Sequence, residues 1–526
     1  MSLPLWQAAL LALVALVASL RQLAGWLYLF QLDEYLPSRL LATARRRLVA
    51  RRRWQLGLLA GGIALLVVSL LVPSQWRPPP LLLAALLPAV LYRPFAARGS
   101  LRWTQRAKRL AATAAAATYL ILLLGFSLGG LGAVAAGLVD VLVALSLGLA
   151  VTVLGPYESA QRRHFMAAAE ARLNRRHPLV VGITGSYGKT TTKVLLAQLL
   201  EEPGRPCFAT PESFNTTLGV CRAINEGLRD EHWAAVIEMG AYRVGEIAEI
   251  CSFTHPQAAI LTAIGLMHLE RFGSRRRIAE AKSELLESIP ADGLAVMPSD
   301  IAEKDVLLSH LRGRLVEVGR PGDRWWLEGE EIDASGTRFR LRGREGEDFA
   351  MTVPLYGSHL LRDLLCALAA AVELGQSPQA LASRVAGLRG APHRLEVTRS
   401  HGVTIIDDSY NSNPEGAAEA LRLLGALPGE RRVLVTPGFV ELGSEQEQSM
   451  VDLGRRAAQV CTHVILVGPR HSAGVGRGLA EAGYPKAQMS VVDDLAGAQA
   501  LLPEFAGAGS VVLFENDLPD QYRESR

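Results

Sequence analysis

Leu179-Val-Val-Gly-Ile-Thr-Gly-Ser-Tyr-Gly-Lys-Thr-Thr-Thr192 is the stretch on which the reading of the fold turns. Its first six residues are apolar or β-branched, the pattern of a strand buried on both faces. Gly185 and Gly188 bracket a tight loop, and residues 193–200 read as a helix. Strand, glycine loop, Lys-Thr and helix together wrap backbone N–H groups around phosphate oxygens. In that arrangement Lys189 reaches the β- and γ-phosphates and the Thr190 hydroxyl takes Mg2+. The common eight-residue spacing is not kept, because Ile183 stands where its first glycine belongs; the run reads TGSxGKTT. The chain holds six lysines against 49 arginines. A lysine retained in this loop uses a property arginine lacks, a compact point charge.

Working outward, the chain has 526 residues, which at about 150 residues per unit makes three or four domains. A hydrophobic share of 49% and a mean hydropathy of +0.19 exclude disorder and fibrous repeats. The overall charge of +4 hides a split. Residues 1–156 carry fifteen basic and three acidic side chains; residues 157–526 carry forty and forty-eight. Nucleic-acid binding would place the positive charge on the globular part, so no nucleic-acid partner is expected. Cys207, Cys221, Cys251, Cys366 and Cys461 have no metal-ligand spacing and fit a reducing compartment.

The first 156 residues read as a membrane domain. Residues 1–20 are uncharged, and apolar character continues past Arg21 to Phe30. A signal peptide fits poorly, since no basic segment precedes the run and further apolar runs follow. Residues 54–76 form an uncharged run long enough to span a bilayer, and 78–92 a shorter one. Residues 110–139 and 141–157 are uncharged around Asp140, with Gly129, Gly130 and Gly132 marking a turn between two spans. Arginines crowd positions 39–53 and basic residues crowd 93–109, which places both loops in the cytoplasm. Five spans follow, with the N-terminus outside and everything after Tyr157 cytoplasmic, in a multi-pass protein of the cell (inner or plasma) membrane. Asp140 is either a functional group within the last span or a solvated one near the outer interface. Residues 157–177 read as a cytoplasmic linker helix whose Arg162, Arg163, Arg172, Arg175 and Arg176 touch anionic headgroups or water.

Further motifs follow the glycine loop in order: Thr210-Pro-Glu-Ser-Phe-Asn-Thr-Thr-Leu-Gly219, Val236-Ile-Glu-Met-Gly240, a segment with His268, Ala281-Lys-Ser-Glu284, His393-Arg-Leu-Glu396, Ile405-Ile-Asp-Asp-Ser-Tyr-Asn-Ser-Asn-Pro414 and Gly438-Phe-Val-Glu-Leu-Gly443. With the glycine loop they resemble the Mur ligases, ATP-dependent amide-bond-forming enzymes of cell-wall synthesis. The similarity is nearest to the branch that adds D-alanyl-D-alanine to a UDP-muramoyl-tripeptide. It runs over roughly residues 181–443. The resemblance implies an ATP site at Gly185, Ser186, Gly188, Lys189, Thr190, Thr191, His359, Arg394 and Asp407, the last two reaching ATP from the C-terminal domain. It implies substrate contacts at Ser213, Asn215, Thr216, Tyr410, Asn411 and Asn413. Mg2+ falls to Thr190, Glu238, His268 and Lys282, the lysine as a carbamate. Lys189, His268, Lys282 and Arg394 then carry the catalysis. An ammonium cannot bind a cation, whereas a carbamylated Lys282 is an anionic oxygen ligand of the kind hard cations take.

Three departures from the family pattern shape the reading. The soluble UDP-holding domain that opens the family is replaced by the membrane domain, so the acceptor is expected to be lipid-linked or otherwise membrane-held. Leu360 and Pro298 stand where asparagines are common. The C-terminal run Leu513-Phe-Glu-Asn-Asp-Leu-Pro-Asp-Gln-Tyr522 lacks a Lys-Gly-Ser element. The expected fold is an α-helical membrane domain (1–156), the linker helix (157–177), an α/β phosphate-loop ATPase domain (178–390) and a Rossmann-like C-terminal domain (391–526). Within the ATPase domain, residues 324–354 read as a small β insertion. The expected activity joins the amine of an amino acid or short peptide to a carboxylate of a cell-envelope precursor through an acyl-phosphate. The alternatives are a γ-linked poly-amino-acid synthetase and an ATP-driven transporter, the latter disfavoured by the absence of internal repeats.

Overall fold

The computed structural model describes the chain except residues 1–2, 33–34, 36–42, 44, 46–51, 74–77, 91–100, 129–130, 213, 266–271, 334–335, 410–412, 441, 443–444 and 517–526. Two compact units emerge, 1–161 and 162–526.

The first unit is helical: α1 (Leu5–Leu32), α2 (Arg52–Leu71), α3 (Pro78–Val90), α4 (Gln105–Ser127), α5 (Leu131–Gly137) and the start of α6 (Val139–Arg176). Leu5–Gln31, Gln105–Ser127 and Val139–Arg176 are long and apolar enough to cross a membrane; Gln55–Leu71 is apolar but shorter. Its outward side is apolar, with Leu10, Leu13 and Val17 of α1, Leu120 and Leu124 of α4 and Leu145, Leu149 and Val153 of α6 exposed. One expectation changes here. Helix α3 has 13 residues, about 20 Å of helix against a hydrocarbon core of about 30 Å. The last two runs give the long apolar helices α4 and α6, joined through the seven-residue α5. Glycines allow it to pack closely: a Cβ at Gly62 would sit 2.5 Å from the Ala133 carbonyl oxygen, and one at Gly137 2.8 Å from that of Leu58. Asp140 is not solvated. It is 1% exposed and accepts hydrogen bonds from Trp26 Nε1 (2.9 Å) and Gln55 Nε2 (3.4 Å).

The expected linker helix is the continuation of α6. Ala, Glu and Arg keep the helix running to Arg176 although the sequence turns from apolar to charged. In the second unit its residues Ala169 and Leu173 lie in a core with Val220, Ile224 and Ile250.

The second unit continues with β1 (Leu179–Thr184), α7 (Lys189–Leu200), β2 (Cys207–Ala209), α8 (Thr217–Gly227), β3 (Ala234–Glu238), α9 (Glu246–Thr254), β4 (Ala258–Leu261), α10 (Arg275–Ser288), β5 (Leu294–Pro298), α11 (Lys304–Ser309), β6 (Arg314–Val318), β7 (Trp325–Asp333), β8 (Gly336–Gly343), β9 (Asp348–Val353), α12 (Ser358–Glu373) and α13 (Pro378–Val385). The sheet order is β2-β3-β1-β4-β5-β6-β7-β8-β9, parallel through β6. The run 324–354 is therefore no separate insertion: β7, β8 and β9 are a meander that extends the same sheet. Chain direction along the sheet reverses at β1, with β3 on one side and β4 on the other. Crevices for ligands open at the carboxyl ends of strands at such a point.

The C-terminal body comprises β10 (Glu396–Ser400), β11 (Val403–Asp408), α14 (Pro414–Ala426), β12 (Arg431–Thr436), α15 (Gln446–Val460), β13 (His463–Val467), α16 (Ala473–Glu481), β14 (Met489–Val492), α17 (Leu495–Phe505) and β15 (Ser510–Glu515). Its sheet order is β10-β11-β15-β12-β13-β14, with only β10 antiparallel. Tyr356 and Leu360 of the preceding body enter its core beside Leu395 and Leu421.

Candidate active site

The site begins where β1 stops. Gly188 caps α7 at φ +79°, and a Cβ there would collide with the Asp363 carboxylate. A side chain at Gly185 would collide with the Thr262 hydroxyl. The glycines thus let two other elements close on the loop. The Ser186 hydroxyl accepts from Gly265 N (2.9 Å), and Ser186 N donates to Ala263 O (2.8 Å), so Ser186 braces the loop. Thr191 is buried in α7.

Lys189 Nζ turns back onto the loop and donates to Gly185 O (2.7 Å) and Ser186 O (3.2 Å). Burial lowers its pKa; Glu238 and Asp363 oppose the shift and Arg394 adds to it. One turn on, Lys193 is 2% exposed and pairs with the 1% exposed Glu238 at 3.1 Å. The Glu238 carboxylate is fully engaged: Oε2 also accepts from Thr190 Oγ1 (3.0 Å) and Oε1 from Asn215 Nδ2 (2.9 Å). Burial pushes its pKa up, but Lys193, Lys189 and the Asn215 amide outweigh that and hold it below the usual carboxylate range. Thr190 and Glu238 therefore present adjacent oxygens, one of them anionic, beside the loop.

Lys282 lies on α10, 4% exposed. Among the described residues it has no hydrogen bond or ion pair. Burial, then the neighbouring Lys189 ammonium, drives its pKa well down. Two residues on, Glu284 accepts from Gly245 N (2.5 Å) and Ala248 N (2.8 Å) and so caps α9 from α10.

Arg394 comes from the C-terminal body and acts on the ionisation of Lys189, His359, Asp363 and Asp408. His359, on the first turn of α12, is held neutral by burial, its pKa pushed down to about 4; its Nδ1 is buried without a partner among the described residues. Asp363, one turn further, is raised to about 7 by burial against the pull of Arg394, Arg362 and Lys189. A cleft of about 620 Å³ opens beside the loop, lined by Tyr187, Thr262, Asp300, His359, Asp363 and, from the C-terminal body, Glu419.

Asp363 gives a pH prediction. Its folded pKa stands above the ordinary 3.8, so the folded chain holds a proton that the unfolded chain has released. Stability is then lost as pH rises from about 4 to about 7. Asp363→Asn removes that loss. Its melting temperature is expected to exceed wild type by several degrees at pH 8, reflecting about 2–4 kcal/mol, with a much smaller gap at pH 4.5. Thermal unfolding of both proteins at the two pH values checks this; an equal gap at both removes the assignment.

Not every sequence candidate joins this group. Asp407 lies in another cavity of about 590 Å³, with Val435, Val467, Asp493 and Asn516. There it accepts from Ser409 Oγ (2.6 Å) and contacts His393 Nδ1 at 2.7 Å. Its neighbour Asp408, rather than Asp407, is the aspartate that Arg394 influences. Asn413 uses its side chain to cap α14, accepting from Gly416 N (3.0 Å), and Thr216 caps α8. Ser213, His268, Tyr410 and Asn411 lie outside the described residues. Sequence reasoning missed Lys193, Asp363 and Glu284. Lysine scarcity pointed to Lys193 as strongly as to Lys189 and Lys282, and Asp363 stands one helical turn from His359, on the same face.

Comparison with known proteins agrees with this geometry. Residues 183–371 match the Mur ligase middle domain and residues 393–515 the Mur ligase glutamate ligase domain. The UDP-N-acetylmuramoyl-tripeptide–D-alanyl-D-alanine ligase of Escherichia coli K12 is 32% identical over 309 residues, 57% of this chain and 67% of that one. The enzyme of the same name from Mycobacterium leprae is 32% identical over 365 residues, 64% of this chain and 70% of its own. Among solved structures, MurF from Acinetobacter baumannii superposes with a TM-score of 0.60 at 28% identity, covering 68% of this chain and 77% of its own. MurF from Thermotoga maritima in complex with ADP gives 0.59 at 28% identity, covering 68% and 80%.

Proposed function

The chain belongs to the Mur ligase family of ATP-dependent amide-bond-forming ligases, and from that premise we propose a membrane-held enzyme that joins the amine of an amino acid or short peptide to a carboxylate of a cell-envelope precursor. The observation that carries the reading is the convergence of Lys189, Thr190, Glu238 and Lys282 at the carboxyl edge of one sheet, with Arg394 supplied by the other body. Phosphoryl transfer needs positioning and charge neutralisation more than covalent help from the protein, and those are what this set offers.

The residues fit a magnesium nucleotide. Gly185 and Gly188 let Thr262 and Asp363 close on the loop at the edge of the cleft, and Lys189 occupies itself with loop carbonyls that a phosphate would replace. Mg2+ would be held by Thr190 and Glu238, and by Lys282 as a carbamate. ATP supplies the phosphoryl group that turns the acceptor carboxylate into an acyl-phosphate; the amine then takes the acyl carbon and phosphate leaves. Lys193 keeps Glu238 ionised and Asn215 orients it. Arg394 brings positive charge to the phosphate side only while the two bodies are together, a common way of shielding a hydrolysable intermediate from water.

The carbamate follows from the surroundings of Lys282. A buried ammonium beside a second ammonium is unfavourable, so its neutral amine is the favoured form. The neutral amine adds CO2 and releases a proton, leaving an anion next to Lys189.

The acceptor is proposed to be lipid-linked. Support comes from the first unit, which lies outside the family match and exposes a broad apolar surface, the kind that marks membrane contact. We place it in the cell membrane as a multi-pass anchor with the catalytic bodies in the cytoplasm. Confinement of enzyme and acceptor to one bilayer raises their effective concentration.

The test is ADP and phosphate release by the full chain in lipid nanodiscs, given labelled amino acids or dipeptides and either a lipid-linked or a UDP-linked acceptor. The expected result is turnover that requires both acid and amine, with the ligated product seen by mass spectrometry. Repeated addition to one acceptor would point to a polymerase. Steady turnover with neither acid nor amine would overturn the ligase in favour of transport.

A further inference from the structure

Residues 162–176 precede the family match, yet they are built into the catalytic unit. Three of their arginines contact its surface. Arg176 pairs with Asp230, Arg172 donates to the Asn225 carbonyl oxygen, and Arg162 reaches Glu249 of α9 and Thr217 of α8. The first two hold the far end of α8 and the turn after it. Arg162 does something different. Its Nη2 donates to Thr217 Oγ1 at 3.1 Å, and that hydroxyl in turn donates to Glu249 Oε2 at 2.7 Å. Guanidinium, hydroxyl and carboxylate form a closed set joining α6, α8 and α9.

Thr217 is the first residue of α8, two residues beyond Asn215. Asn215 holds Glu238 through its side-chain amide, and its backbone oxygen accepts from Gly240 N at 2.8 Å. Position 240 leaves little slack: a Cβ there would lie 2.9 Å from Asn215 Cγ. The position of the first turn of α8 therefore sets where the Asn215 amide meets Glu238. Besides the Thr216 cap and the burial of Val220 in the core, the Arg162 set ties that turn to α6 and α9.

We infer that Arg162, carried by the helix that continues from the apolar unit, is a positioning residue for the magnesium-nucleotide site, acting through Thr217 and Asn215 on Glu238. The inference rests on the ligase reading above and adds to it a residue outside the family match. Its side chain and that of Glu249 are about one-third exposed (36% and 29%), so the pair contributes little to stability. The docking of this helix is carried instead by Ala169 and Leu173, which are 0% and 4% exposed.

The experiment titrates Mg2+ against binding of a fluorescent ATP analogue by the full chain in nanodiscs. Arg162→Ala is expected to raise the Mg2+ concentration for half-maximal binding by about five- to tenfold, somewhat less than the loss of a direct outer-shell partner costs a metal site, because it acts through Thr217 and Asn215. Arg162→Lys, which keeps the charge but not the fork, should recover part of that shift. Arg172→Ala and Arg176→Ala loosen the same helix away from Asn215 and should lower the melting temperature without moving the Mg2+ midpoint. An unchanged midpoint in Arg162→Ala overturns the inference, as does an equal shift in all three alanine variants, which would make the effect general loosening. Wild type that binds no nucleotide at any Mg2+ concentration would overturn the ligase reading itself, and this inference with it.

Discussion

Lys189→Ala is expected to cut ATP turnover by about a thousandfold or more, because a fixed cation at the transferring phosphoryl group is among the largest electrostatic contributions such a site makes. The variant should stay folded. Lys189 is half-buried, and its pKa is lowered by desolvation and by Arg394. A lysine whose folded pKa lies below its unfolded value opposes folding at neutral pH, so removing it relieves a cost rather than a support. What is lost is two hydrogen bonds to the loop carbonyls of Gly185 and Ser186. The melting temperature is therefore expected to hold within a few degrees of wild type, or to rise. Lys189→Arg should fare almost as badly in turnover, since a planar fork cannot take the place of a compact ammonium between the loop and Asp363. ADP release and thermal unfolding on the same preparations check both halves. Turnover within tenfold of wild type would show that the loop does not hold a triphosphate.

The phosphate side of the site was legible because its signals are local. β1 and β3 appear at the residues the sequence indicates, since strands buried on both faces read as unbroken apolar runs. The glycine loop carries its chemistry in adjacent residues. Of the strands that sequence reasoning missed, β10 and β14 lie at sheet edges, where Glu396–Ser400 is mostly exposed and Met489–Val492 half-exposed and neither needs an apolar run; β2, β5 and β6 were missed as well, although β5 is buried inside the sheet. The meander β7–β9 was visible as strands, but whether it formed an insertion or extended the main sheet depends on pairing with β6, which no local pattern encodes. The missed side chains share one property. Lys193, Asp363, Glu284 and Arg162 act through partners 39 to 174 residues away, at Glu238, Lys189, Gly245 and Glu249. Composition still held a partial clue, since three of the six lysines converge near Glu238 and the loop. The change from apolar to charged residues near Tyr157 marked a change of surroundings and was read as a change of element. Helix propensity does not depend on what surrounds the helix, and α6 runs on to Arg176.

On the carbamate proposal, Lys282→Ala is expected to lose about a hundred- to a thousandfold in turnover, because a metal ligand and a neutralising anion would go together. The distinguishing result is rescue. If the wild-type residue is a carbamate, the alanine variant leaves a pocket for a short carboxylate at the 4% exposed position, and millimolar acetate or propionate should restore part of the activity. Wild type should gain nothing from these acids. It should instead slow when bicarbonate is stripped from the buffer and recover when it is returned, which Lys282→Ala should not do. The pH dependence has a sign. Burial and Lys189 lower the amine pKa, so the neutral, CO2-reactive form is present further into the neutral range than for an ordinary lysine, and acidification should remove the carbamate by protonating the amine. Lys282→Arg closes the case from the other side: it keeps a cation, cannot be carbamylated, and places a permanent charge against Lys189, so it should be at least as inactive as alanine and not rescued. Full turnover by Lys282→Ala without additive would mean that Thr190 and Glu238 hold the metal without it, and that the buried amine serves some purpose other than ligation.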